Sequence, residues 1–266
     1  MLPDFLLSIR RGGRASLGIG LLAVVLGCER HQQADGDPAP TATNTLTLEF
    51  QHNAPGDTLP LRLNTPYQTA AGQTYRLDKF VYYVSNIKLR RADGTAWAEP
   101  HSYHLLRVAG IPADNPTVAV AAVPVGAYTA IEFSIGVDSA ANHHGDQQGA
   151  LSPNEGMIWN WNTGYRFWVL EGDFLPAGDT ARTILHHIGA DRLYRTVRLP
   201  FPTAPTVTTT TAPTAHVYVD VTRFFTSVNL ADPQQRNSMT TTDATLLPRL
   251  ADNVTTMFRV AHVHSD

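Results

Sequence analysis

The sequence predicts an all-β protein, a two-sheet antiparallel β-sandwich with one short helix near the C-terminus. Three observations carry this. From Thr45 onward, apolar and polar residues alternate with period two in one short run after another. Clusters of turn-forming residues separate the runs: "APGD", "ADGT", "VPVG", "LSPNEG" and "LPAGD". Helical spacing is read at a single place, "LPRLADNVTTMF". Many short strands at this spacing, with few helical periods, are the pattern of a sandwich or a barrel.

The elements follow in order. "TLTLEFQH" puts Leu46, Leu48, Phe50 and His52 on one face and Thr45, Thr47, Glu49 and Gln51 on the other. "FVYYVSNIKLR" is rich in aromatic and β-branched residues, which suit a pleated, half-buried surface. "GAYTAIEFSIGVD" alternates again, with Ile131, Phe133 and Ile135 on one face. Later strands are read in "YRFWVLEG", "RTVRLPF", "HVYVDVTRFF" and "FRVAHVH". The low-complexity "TAPTVTTTTAPTA" reads as a polar hairpin arm or loop without chemistry. Leu247, Leu250, Val254 and Met257 keep helical spacing, and Pro248 suits a first turn, so a short helix is predicted from Pro248 to Thr256.

The N-terminus reads as a leader. Arg10, Arg11 and Arg14 precede an apolar run, "ASLGIGLLAVVLG", that ends at Cys28. The run is short for a bilayer span and suits the apolar region of a signal peptide. "VLGC" resembles the lipobox of a bacterial lipoprotein, which makes Cys28 the lipid attachment point and 1–27 the signal peptide. Residues 28–44 are polar and rich in Pro, Ala and Thr, a flexible tether. Residues 45–266 form the folded domain. The expected location is periplasmic, anchored in the outer membrane through the lipid.

Composition narrows the function. The 20 Lys and Arg nearly balance 23 Asp and Glu, so nothing marks a nucleic-acid partner. Cys28 is the chain's only cysteine, so the mature domain has no thiol for a disulfide or a metal. No nucleophile motif or "HExxH" pattern is present, and no enzymatic activity is expected.

Eleven histidines remain. His52 closes the apolar face of the first strand. His262 and His264 are an i, i+2 pair, read onto the face of Phe258 and Val260. Side chains so spaced lie roughly 7 Å apart and can line one pocket or reach one metal. Were the first and last strands neighbours, His52 and this pair would converge at one end of the core. His186 and His187 are adjacent, so only one can face the core. His143 and His144 lie in a glycine-flanked loop. A lone histidine at a strand end is equally a packing residue with one hydrogen bond. A set converging from distant sequence points to a metal, and imidazoles alone suit Zn, Cu or Ni.

"GMIWNWNTGYRFWVLEG" holds three of the four tryptophans. Met157, Trp159 and Trp161 alternate, and glycines flank them. They read either as an aromatic core layer or as a turn-rich, approachable segment.

These stretches, with "LHHIGA" and the closing "ADNVTTMFRVAHVH", resemble the MbnP-like copper-binding domain. Its founding members accompany methanobactin genes or belong to the CorA/MopE copper-repressible proteins of methanotrophs. The resemblance covers about Thr45 to His264. It implies a β-sandwich that binds copper through histidines. It also implies a partner, a di-haem enzyme of the cytochrome c peroxidase type (MbnH), that oxidises a tryptophan to kynurenine, and it places that tryptophan at the copper site. Carried over residue by residue, the resemblance marks His52, His187, His262, His264 and His143 as candidate ligands, with His186 the less favoured neighbour of His187 and with His143 and His144 sharing an ambiguous alignment. Trp159 or Trp161 becomes the candidate oxidation site. The competing reading is a ligand- or glycan-binding sandwich whose aromatic residues form a stacking surface.

Overall fold

The computed structural model describes residues 41–265 except 55–58, 111–113, 146, 161–163 and 240–242, and of residue 160 the backbone alone. The signal peptide, Cys28, most of the tether and Trp161 therefore lie outside the described residues.

Two principal sheets face each other. The smaller has four strands in the order Phe258–His264, Thr214–Asp220, Thr43–Asn53 and Thr117–Pro124. The larger runs from Arg195–Pro200 through Ala130–Ile135, Thr74–Arg90, Trp168–Phe174 and Arg182–Ile188 to the short Asn237–Ser238. Its long strand, Thr74–Arg90, pairs with Trp168–Phe174 along its first half and with Ala130–Ile135 along its second. The predicted all-β sandwich is thus the observed fold. Most pairs are antiparallel, but Thr43–Asn53 and Thr214–Asp220 run parallel. The alternation of a single strand carries no information about its partner's direction, so this detail was not in the periodicity.

The first strand buries Leu46, Leu48, Phe50 and His52, the face that the alternation selects. Opposite lie Phe80 and Tyr82 of the long strand, with ring centroids 4.9 Å apart. Phe133 bridges the sheets, 6.0 Å from Phe50 and 5.3 Å from Phe258, each edge to face. Such edge contacts suit the aromatic quadrupole and add about 0.5–1.5 kcal/mol each beyond area burial.

The helix spans Leu246–Thr255 and buries Leu246, Leu247, Leu250, Ala251 and Val254, one stripe at helical spacing. Asp243 accepts the amide hydrogens of Thr245 and Leu246, both at 2.8 Å, and so satisfies donors the first turn leaves free. Pro248 sits in that first turn. The stretch "HVYVDVTRFF" differs from its reading as one strand. It leaves the sheet after Asp220, whose carboxylate accepts from the Thr222 amide at 3.1 Å and caps a 3-10 turn over Val221–Phe225.

Candidate metal centre

The last strand does not keep strict alternation. His262 pairs with His216 of the neighbouring strand, but Val260 pairs with Val217, so Ala261 is an extra residue. Phe258 and Val260 pack toward the core. After the bulge the phase changes, Val263 packs inward, and His262 and His264 are exposed. The expectation that the pair shares the face of Phe258 and Val260 is therefore corrected. The convergence with His52 fails for the same reason, and because the Thr214–Asp220 strand lies between the first and last strands.

What the pair meets instead is His216. In "AHVYV", Ala215, Val217 and Val219 are fully buried in the core, so His216 projects from the outer face. Its ring stacks on that of His262, with centroids 4.1 Å apart and planes 13° apart. Its Nε2 lies 2.9 Å from Nε2 of His264. Its Nδ1 is 2.8 Å from Nε2 of Gln51 and 3.6 Å from Oε1 of Glu49. Three imidazoles thus gather on one outer face, beside the polar side of the first strand. Burial lowers the pKa of His216; Glu49 opposes this, while His262 and His264 add to it. At neutral pH the ring is an uncharged donor. Sequence reasoning passed over His216 because attention followed the apolar faces. The signal was on the polar ones, in the outward phase of His216 opposite Glu49 and Gln51.

The other candidates lie apart. His52 is buried against Phe80 and Tyr82, and its Nε2 is 2.9 Å from the Tyr82 hydroxyl. Burial lowers its pKa to about 3, partly offset by the Phe50 carbonyl, so the ring is neutral. Of the adjacent pair, His186 is the one that enters the core, with its ring centroid 5.4 Å from that of Phe224. His187 turns to the other face, where its Nε2 meets Oε1 of Glu171 at 2.7 Å. His143 is exposed and bound to Asp191, with Nε2 to Oδ2 3.0 Å.

The tryptophan segment forms a small hairpin in which Ile158–Asn160 pairs with Gly164–Tyr165. Asn142 Oδ1 accepts the Tyr165 amide at 2.7 Å and ties this hairpin to the histidine loop. Gly164 has φ +75°, and a Cβ there would collide with Asn142, so only glycine permits the approach. Trp159 is half-buried, with the Arg166 guanidinium 5.9 Å from its ring centre. Trp168 is fully buried. Every described aromatic side chain is buried or half-buried.

Among the described residues, no group of three or more His, Cys, Asp or Glu is set up to hold a metal ion. The outer-face trio nevertheless fits copper in the kind of donor it offers, imidazoles from two adjacent strands, two of them exposed. Its nitrogens are engaged with one another and with Gln51 rather than aimed at a common point.

A family model described as MbnP matches residues 43–242. Among solved structures, MbnP from Methylosinus trichosporium is similar, with a TM-score of 0.56 and 19% sequence identity. That alignment covers 84% of this chain and 99% of the other, and at this identity it speaks for a shared fold. No curated protein sequence matches.

Proposed function

Because the chain belongs to the MbnP family, we propose that it is a copper-binding lipoprotein of the periplasm or cell surface. Copper is its cargo, held for scavenging, sequestration or delivery, and not the centre of a reaction. The ligands are the imidazoles of His216, His262 and His264. The observation that carries this is their gathering on one outer face, with His216 2.9 Å from His264 and stacked at 4.1 Å on His262. Imidazole is a good copper donor, and a domain without thiols has few others to offer. The lipid on Cys28 keeps the cargo site at a membrane surface. Oxidation of Trp159 or Trp161 to kynurenine by a di-haem partner belongs to the same reading.

The test is a copper titration of the purified chain against a competing chelator. One tightly held copper per chain is expected. Replacing both His262 and His264 by Ala lowers the affinity by more than about tenfold, while His52→Ala leaves it unchanged. In the same cells, Cys28→Ser moves the protein out of the membrane fraction. A wild-type chain that takes no copper, or a double variant that binds as wild type does, overturns the copper assignment. A Cys28→Ser protein that stays with washed membranes at normal size overturns the anchor.

A further inference from the structure

The long strand Thr74–Arg90 has 17 residues and spans roughly 50 Å, so the charges at its two ends are screened from each other. Its outer face is charged differently at those ends. At the first, Arg76 meets Asp173 and Lys79 meets Glu171, with Asp78 close by, two cations against three carboxylates. At the second, one row crosses three strands as Arg198, Glu132 and Lys88, and Arg90 stands two residues beyond Lys88. Their neighbours Leu199, Ile131 and Leu89 are buried, so these side chains project outward. Glu132 answers both Lys88, at 3.4 Å, and Arg90, at 2.7 Å. With the exposed Arg198, three cations stand against one carboxylate. Arg91 and Asp93 in the turn beyond add one charge of each sign. This positive corner belongs to a chain whose formal net charge is -3, so it is a local feature and not general basicity. Small residues, Ala96, Ala98 and Ala130, lie between the cations and hold no flat surface away from them.

The chain enters the domain at this same corner. The described residues begin at Thr41, and the Ala42 carbonyl accepts the Val125 amide at 2.9 Å. The Val125 carbonyl in turn accepts Nη2 of Arg91 at 3.1 Å. Two hydrogen bonds thus join the entry point to the residue next to Arg90. We infer that this corner is a docking surface for anionic phospholipid headgroups, those of the membrane in which the chain is anchored. The inference rests on the lipid at Cys28 in the reading above. Cys28 lies thirteen residues before Thr41, a reach of at most about 45 Å. An anchor of that length keeps the entry corner at a high effective concentration near the headgroups, where a modest positive charge suffices. Each basic side chain close to an anionic membrane is worth roughly a fivefold gain in binding. The more acidic first end of the strand gains nothing from the same surface. The corner therefore faces the membrane and the first end faces away.

The chain has two lysines, Lys79 and Lys88, and they report one end each. Their side chains are 47% and 43% exposed, and each lies beside one carboxylate, at 3.5 and 3.4 Å, so the pair forms its own control. The full chain, purified from membranes, is reconstituted into vesicles of phosphatidylcholine alone or mixed with phosphatidylglycerol. A membrane-impermeant amine reagent labels it, and peptide mass reads the two lysines. In the anionic vesicles, labelling of Lys88 relative to Lys79 is expected to fall about fivefold and to recover at high salt. Arg198→Glu, at an exposed side chain, removes the protection. A ratio that is the same in both kinds of vesicle overturns the docking surface. So does protection that survives high salt or Arg198→Glu. Protection that needs an added acidic protein, and is absent with anionic lipid alone, replaces the lipid surface by a protein partner and overturns it as well. Intact mass tests the anchor separately. A Cys28 without acyl groups refutes the anchor, and sedimentation of that chain with the anionic vesicles then decides the corner: a chain left in the supernatant overturns it.

Discussion

His186 carries two unpartnered ring nitrogens in the core. Burying a polar group without a hydrogen bond costs about 1–3 kcal/mol. Burial also lowers the pKa of His186 to about 3, with a smaller contribution from His187. The sign of the resulting pH dependence is fixed. Above the ordinary value of 6.5 both folded and unfolded chains are neutral at this position, and the penalty is absent. Below 6.5 the unfolded chain takes up a proton that the folded one refuses, so stability falls as pH drops toward 3. The loss is about 1.4 kcal/mol per pH unit for each such histidine. His186→Leu is therefore expected to raise stability by about 1 kcal/mol at pH 7.5 and to reduce the loss between pH 6.5 and 5. Urea unfolding at these pH values checks both. A variant that is less stable at pH 7.5, or whose pH slope is unchanged, shows that the ring has a role beyond packing. That one of His186 and His187 enters the core was legible in their adjacency. Which one was not, because the phase of that strand is set by its pairing with Trp168–Phe174, where His186 sits opposite Leu170 and His187 opposite Val169.

The last strand shows how one residue decides what an element does. Without Ala261 in excess, a chain read at period two places His262 and His264 on the face of Phe258. With the bulge they stand outside, beside His216. The alternation of the first strand was legible because its apolar residues are large and its polar ones charged or amidic. The bulge was not, because alanine fits either face and leaves no mark on the pattern. This yields an expectation that runs against a simple reading of the sequence. Deleting Ala261 restores a regular ladder in which Val260 and Val263 still face in and the two histidines still face out. The variant should fold, keep the His216–His262 contact and keep its copper affinity within about threefold, a difference of well under 1 kcal/mol. Circular dichroism and the chelator competition measure the two properties. Loss of the fold would mean that the pair points inward in the native strand. The C-terminal helix was the reverse case, legible from its apolar spacing and Pro248, since a period of 3.6 stands out in a chain otherwise set at two.

The residues singled out in the sequence are spread over different parts of the fold, with His52 and His186 in the core and others outside it. The histidine trio lies on the smaller sheet. Trp159 lies in the separate two-stranded hairpin, with the Arg166 guanidinium over its indole, and His187 stands on the larger sheet beside Glu171. The resemblance drew His187, Trp159 and the closing histidine pair from separate stretches, and a motif does not say which layer of a sandwich a side chain joins. Two consequences follow if a di-haem partner oxidises this chain with peroxide. First, the product forms on Trp159 or Trp161 and not on Trp168, which is fully buried and out of reach of a docked partner. Second, the guanidinium over Trp159 opposes loss of an electron from the ring, because a cation held by the indole face is repelled once that face is positive. Arg166→Met is then expected to raise the yield at Trp159. Peptide mass mapping identifies the product by the loss of one carbon and the gain of one oxygen. Copper affinity measured before and after oxidation should be the same, since the trio and the hairpin occupy different sheets. A chain that binds copper only after its tryptophan is converted would place the metal beside the hairpin, and the outer-face histidines would then be a hydrogen-bonded cluster with no part in holding it.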